Sequence, residues 1–398
     1  MASPSAVAVP RLAERRRSGR PVLLVAWLAF LILLLALTLG LAEVGLRIRR
    51  DRVAVHLPDP PSTDFRFVPD RLLGFKNKPS ISYTSESRHH ETFHYSNNSL
   101  GLRGPETSRT PAPGTQRVVI VGGSTVYGAL DDQTDTLSVQ LEAVLRQRVG
   151  APVEVLNAGV PGYEALREAA YTKVDLLDLR PDVVVVLDGL NDVFYGSLEE
   201  WPSQIAEDQL RIIGDGRLPE LSETIDRTMF PHGLIEHQVT MLARTARMEI
   251  FPLLLHRSSP PAPRIANQRV IDLHAASVGR IAEYAGSRGA RTLAALQPLL
   301  VLGSKALSPD EEEAVRHEGY WDPEGWPATA RLMYPRMDTT TRDAVEAAGG
   351  RYLDLRHAFD AETGTTYAED VAHYTGLGNL RLAEALAPTV MELLQAAH

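Results

Sequence analysis

Four short stretches of the chain carry residue types that could do acyl-transfer chemistry. Gly122-Gly123-Ser124-Thr125 follows an apolar run at 117–121, and Asn157-Ala158-Gly159-Val160-Pro161-Gly162-Tyr163 follows another at 153–156. Asp188-Gly189-Leu190-Asn191-Asp192 follows a third run at 183–187, and Asp370-Val371-Ala372-His373 lies shortly before Gly378-Asn379 near the C-terminus. A serine hydroxyl such as that of Ser124 is a weak nucleophile and needs an adjacent base. His373 is the candidate base. Asp370, three residues earlier, would hold its other ring nitrogen and stabilise the imidazolium. The backbone N–H groups of Ser124 and Gly159 and the side-chain amide of Asn191 would offer a developing oxyanion three donors. Each block alone also has a plain reading, as a turn after a strand or a helix cap. Their joint placement on successive strand ends carries the catalytic reading. That chemistry needs no metal and no cofactor.

Two further patterns compete for attention. Asp354-Leu355-Arg356-His357 is a second D-x-x-H, but it begins inside an expected strand and lacks the following Gly-Asn and helix. His90-Glu91-Thr92-Phe93-His94 matches H-E-x-x-H. A zinc site of that kind requires a helix to bring both histidines onto one face. The neighbours SISYTSES and YSNNS are β-branched, aromatic and turn-forming instead, so the match is read as accidental.

The elements that must position these residues alternate. Strands are expected at 117–121, 153–156, 183–187, 291–296 and 351–355, and helices at 136–148, 164–179, 265–288 and 378–396. Such alternation predicts an α/β fold with a parallel sheet and helices on both faces, in which chemistry collects at the carboxyl ends of the strands. Residues 43–115 read as a juxtamembrane linker with an extended piece at 80–97, and 116–398 as the catalytic domain. A helical insertion at 193–265 (Trp201, Phe230, Phe251) and a second segment at 303–345 (Tyr320, Trp321, Trp326) read either as extra helical packing or as a substrate wall over Ser124.

The 398 residues have a net charge of -9, no cysteine and a mean hydropathy of -0.13. Without cysteine there is no disulfide scaffold, thiolate zinc site, cysteine nucleophile or lipidated cysteine anchor. The charge is uneven: residues 1–52 carry +6 and the remainder -15. A body that acidic is repelled by phosphate backbones, so no nucleic-acid partner is expected. Behind a basic tail at 1–20, residues 21–42 contain no charge. As a helix they would span roughly 33 Å, enough for a hydrocarbon core of about 30 Å. Gly40-Leu41-Ala42 resembles a signal-peptide cleavage site, but the apolar core of a signal peptide is usually only about 7–15 residues. A retained transmembrane anchor is therefore expected. The arginine bias puts the N-terminus in the cytoplasm and the catalytic body outside it.

The four chemical blocks, in this order, resemble the SGNH (GDSL-type) hydrolase family, whose name-giving residues match Ser124, Gly159, Asn191 and His373. One departure is Gly123, where the namesake motif has Asp, a residue outside the triad. The segment NNSLGLRGPE at 97–106 resembles the stretch that precedes the domain in membrane-anchored bacterial relatives. The resemblance covers about 116–398 and implies a flavodoxin-like three-layer αβα sandwich with a mostly parallel sheet, here preceded by one transmembrane helix. It implies an extracytoplasmic serine esterase acting on an acyl ester of a carbohydrate, lipid or small molecule, with acetyl the first candidate. An O-acyltransferase passing the acyl group to a glycan hydroxyl is the alternative, and would need a donor delivered by a membrane partner. A non-catalytic interaction domain is the third reading.

Overall fold

The computed structural model describes residues 25–41, 66–70, 73–87, 91–196, 268–317 and 326–396. The chain divides into two units, Met1–Asp59 with His232–Arg257, and Pro60–Pro231 with Ser258–His398. The described part of the first unit is a helix over 25–41, with Trp27, Phe30 and Leu33 exposed. Its length is about 25 Å at 1.5 Å per residue. Among the described residues no helix is long and apolar enough to cross a membrane. Residues 21–24 and 42 of the expected span lie outside the described residues, as do the basic tail and most of the insertion at 193–265.

In the second unit five parallel strands form the central sheet. They are β5 (Gln116–Gly122), β6 (Val153–Gly159), β7 (Val183–Asp188), β8 (Arg291–Leu296) and β9 (Arg351–Tyr352), in the order β6-β5-β7-β8-β9. Counted from β5 this is 2-1-3-4-5, the flavodoxin-like order, and its switch point lies between β5 and β7. Strands covered on both faces read as continuous β-branched runs rather than alternating ones, and every residue of β5 and β7 is buried. Val118, Ile120, Val183 and Val185 face one core with Leu141 and Leu145 of α2 (Leu137–Arg148) and Leu382, Leu386 and Val390 of α8 (Gly376–Ala396). Val119, Val121, Val184 and Val186 face a second core with Leu166 and Ala169 of α3 (Ala165–Val174) and Val278 and Ile281 of α5 (Gln268–Ser287). The result is the expected three-layer α/β sandwich.

The extended piece expected at 80–97 consists of two paired strands, and another pair lies ahead of it. β1 (Phe67–Asp70) pairs antiparallel with β2 (Gly74–Asn77), and β3 (Ile81–Glu86) with β4 (Thr92–Asn97). Within 303–345, α6 (Pro309–His317) is followed by α7 (Trp326–Ala347), which buries Met333, Tyr334 and Met337 in the first core. That part of the segment is helical packing. Tyr320 and Trp321 lie outside the described residues, as do Trp201, Phe230 and Phe251.

Candidate active site

Ser124 opens a single helical turn, α1 (Ser124–Tyr127), directly after β5. Close backbone approach requires the first of the two glycines before it, and the second packs against the Asn191 side chain. A Cβ on Gly122 would sit 2.4 Å from Val126 Cγ2 and 2.5 Å from the Leu187 carbonyl oxygen, and one on Gly123 would sit 2.6 Å from Asn191 Nδ2. The turn ends at Gly128 in the left-handed region, with φ 81°, where only glycine is unstrained. Arg103 fastens this end from outside the sheet. Its guanidinium donates to the carbonyls of Tyr127 (2.8 Å), Gly128 and Asp131 (2.7 Å) while lying over the rings of Tyr95 and Tyr127.

The loop ahead of α8 supplies the other two groups. Asp370 Oδ1 accepts the N–H groups of Ala372 (2.9 Å) and His373 (2.7 Å), and Oδ2 lies 2.6 Å from His373 Nδ1. His373 Nε2 lies 2.8 Å from Ser124 Oγ, across 249 positions of sequence. Burial opposes ionisation of Asp370, but His373 and the two N–H donors outweigh it and hold the carboxyl down at about 2. The loop is held by the residues that follow β8: Leu300 N–H donates to the Val371 carbonyl (2.9 Å), and Gln297 Nε2 reaches the Ala372 carbonyl (3.5 Å) and donates to Thr125 Oγ1 of α1 (3.1 Å). Asn379 Nδ2 donates to Asp131 Oδ2 (2.8 Å) and so joins α8 to the loop after α1. Burial pushes the Asp131 carboxyl up to about 7, against the opposing pull of Asn379, Arg103 and His373. Arg103 lies in the NNSLGLRGPE segment noted in the sequence, which gave it no role, and nothing local marks Asp131 or Gln297.

The expected oxyanion donors are placed unevenly. Asn191, in the first turn of α4 (Leu190–Gly196), packs its amide against Gly123 and donates to the Tyr163 carbonyl at 2.6 Å. That bond orients the amide and leaves its second N–H for a ligand. Gly159 departs from expectation. Its N–H donates to Asn157 Oδ1 at 3.0 Å, so it is already engaged. A Cβ there would sit 2.2 Å from the Tyr127 nitrogen, so this glycine lets α1 lie on the end of β6. The next glycine of the same loop, Gly162, occupies a turn closed by Tyr163 N–H on the Val160 carbonyl, with φ 85°. Its N–H donates to no described residue.

The competing patterns do not assemble. His357 Nδ1 turns forward to Asp360 Oδ2 (2.8 Å), and Asp354 is engaged by Arg356 (2.7 Å). His94 lies on strand β4, exposed and 2.9 Å from Asp132 Oδ2, while His90 is outside the described residues. Residues i and i+4 of a strand share a face but stand about 13 Å apart, too far for one zinc ion to take both.

Among solved structures the chain is similar to a lipase/acylhydrolase of Enterococcus faecalis, at 13% identity over 70% of this chain and 96% of that one, with TM-score 0.37. It is also similar to a GDSL-like lipase of Bacteroides thetaiotaomicron (13%, 72% and 92%, TM-score 0.36). A third is an acetylxylan esterase of Geobacillus stearothermophilus, solved as a catalytic mutant (12%, 70% and 94%, TM-score 0.37). No curated protein matches the chain. The model of the GDSL-like Lipase/Acylhydrolase family matches residues 120–381, a span that begins in β5 and ends in α8 and so takes in Ser124, Asn191, Asp370 and His373. The chain therefore belongs to the GDSL-like lipase/acylhydrolase family and is an ester hydrolase of that type.

Proposed function

We propose that the protein is a serine esterase that removes an O-acyl group, acetyl being the first candidate, through a covalent acyl-enzyme. The observation that carries this reading is the unbroken chain Ser124 Oγ–His373 Nε2 (2.8 Å) and His373 Nδ1–Asp370 Oδ2 (2.6 Å). In the first half-reaction His373 Nε2 takes the Ser124 proton as Oγ attacks the ester carbonyl. The tetrahedral oxyanion is met by the Ser124 N–H and the second N–H of Asn191. The Gly162 N–H takes the place first expected of Gly159. Each preplaced donor of this kind is worth about 10²–10³ in rate. The ester C–O bond then breaks and His373 returns its proton to the departing alcohol. Water, deprotonated by His373, cleaves the acyl-enzyme in the second half-reaction.

The same reading holds the body outside the cytoplasm on a retained membrane helix. It is supported by the uncharged run at 21–42, the arginine bias around it, and the exposed apolar side chains of the helix over 25–41. The purified chain is expected to hydrolyse p-nitrophenyl acetate and to be labelled at Ser124 by a fluorophosphonate, and Ser124→Ala should lose both. An inert, unlabelled wild-type protein overturns the reading. Acylated sugar appearing faster than free acid, when sugar acceptors are added, turns it into a transferase.

A further inference from the structure

Behind Asn191 lies a second polar cluster that the esterase chemistry does not use. Asp188 ends β7, Asp192 sits in the first turn of α4, and His274 lies on α5, all between 0 and 4% exposed. One ligand atom from each lies within 4.8 Å of the others. Ligand atoms around one cation at roughly 2.0–2.2 Å fall within such separations. Glu168, on α3 and 0% exposed, lies against Asp188 and Asp192 and shares a carboxyl–carboxyl hydrogen bond with Asp188. No N–H or O–H donor of another described residue reaches either Glu168 oxygen or Asp188 Oδ2. A buried carboxylate without donors is expensive unless another charge compensates it. Arg167 is turned toward Glu164 (3.7 Å) and the rings of Phe75 and Tyr163. Three carboxylates therefore converge on one imidazole.

The imidazole is held as a metal ligand would be. His274 Nδ1 lies 2.9 Å from Thr341 Oγ1 on α7, and Nε2 points into the cluster, 2.9 Å from Asp188 Oδ1. With no ion between them, Nε2–H donates to Asp188 Oδ1; around a cation, a neutral imidazole would donate from Nδ1 to the threonine oxygen and turn its Nε2 lone pair to the metal. This is how a partner on the far ring nitrogen fixes the tautomer of a ligating histidine.

We propose that Asp188, Asp192 and His274 hold one divalent transition-metal cation in the core, tying β7, α4 and α5 together, with the Glu168 carboxyl of α3 bonded to Asp188 beside them. One nitrogen and two carboxylates suit Mn²⁺ or Zn²⁺ better than Ca²⁺, which takes oxygen ligands alone. The missing cysteines exclude a thiolate zinc site but leave this donor set open. The ion would be structural, since the cluster shares no residue with the Ser124–His373–Asp370 chain.

The test is metal content and stability of the full chain, with no reliance on turnover. After stripping with a chelator, the protein is loaded with MnCl₂ or ZnCl₂, dialysed and analysed for bound metal, and its thermal unfolding is followed with and without the ion. The expected result is about one equivalent retained, with Tm raised by roughly 5 °C or more at metal a hundredfold above Kd. Asp192→Asn, nearly isosteric, should abolish both. Retention of less than a tenth of an equivalent with Tm unchanged by either metal overturns the proposal and leaves the cluster neutralised by protons. Full retention in both Asp192→Asn and Asp188→Asn also overturns it, because the ion then sits elsewhere.

Discussion

Asp370 uses one oxygen to fold its own loop and the other to orient His373, so a single side chain sets both the conformation and the direction of the base. Its carboxyl is held at about 2, below the ordinary 3.8. A depressed pKa contributes stability that is present above about pH 4 and fades only as pH falls through about 2. The loop is thus intact wherever the esterase could work. Asp131 has the opposite sign. Burial raises it to about 7, so folding takes up a proton between the unfolded and folded values, and stability falls as pH rises from about 4 to about 7. Asp131→Asn can still accept from Asn379 and removes that loss. The variant should be more stable than wild type at pH 8 by on the order of 1–3 kcal/mol, and no more stable at pH 4. Urea unfolding at the two pH values checks this, and equal shifts at both would contradict it.

At the scale of elements, β5 and the turn of α1 present Ser124, but residues far outside the catalytic blocks hold that turn in place. Arg103 caps its carbonyls, and Tyr127 Oη bonds both Tyr83 Oη (2.8 Å) and Asn97 Oδ1 (3.0 Å) of the β3–β4 hairpin. Tyr83 and Tyr95 stack at 4.7 Å beside it. Replacing the guanidinium leaves the buried carbonyls of Tyr127, Gly128 and Asp131 without their donor, each worth about 1–3 kcal/mol. Arg103→Leu is therefore expected to lose about 3 kcal/mol of unfolding free energy, measured by urea titration, and to lower kcat with it. A variant of unchanged stability would mean the hairpin is no support for the nucleophile turn. The sequence shows an extended piece at 80–97 but not its pairing or its target. Thr, Tyr and Ser at alternate positions signal a strand, whereas the partners of Asn97 and Arg103 lie tens of residues away.

At the scale of the whole molecule, the charge is divided unevenly along the chain, +6 over residues 1–52 and -15 over 53–398. On the proposed anchoring, the full chain should stay with the membrane fraction through a carbonate wash. A chain starting at residue 53 should be released from it with its kcat on p-nitrophenyl acetate unchanged, and full-length protein in the carbonate supernatant would count against the anchor. The α/β class and the positions of its main strands were legible because a parallel sheet buried on both faces must be built from unbroken apolar runs such as 183–187, while their spatial order was not. So were Ser124, Asn191, Asp370 and His373, because strand ends in such a sheet converge on one edge. What only the tertiary structure decided is which donors are free. Gly159 and Gly162 are alike as letters, but one N–H is taken up by Asn157 and pressed against α1, while the other stands in a turn at positive φ. Asp188 and Asp192, read at first as the flanks of Asn191, acquired Glu168 and His274 as neighbours only when α3 and α5 packed on the same face. Hydrogen-bond supply and charge compensation are properties of packed neighbours, and no local pattern of residues records them.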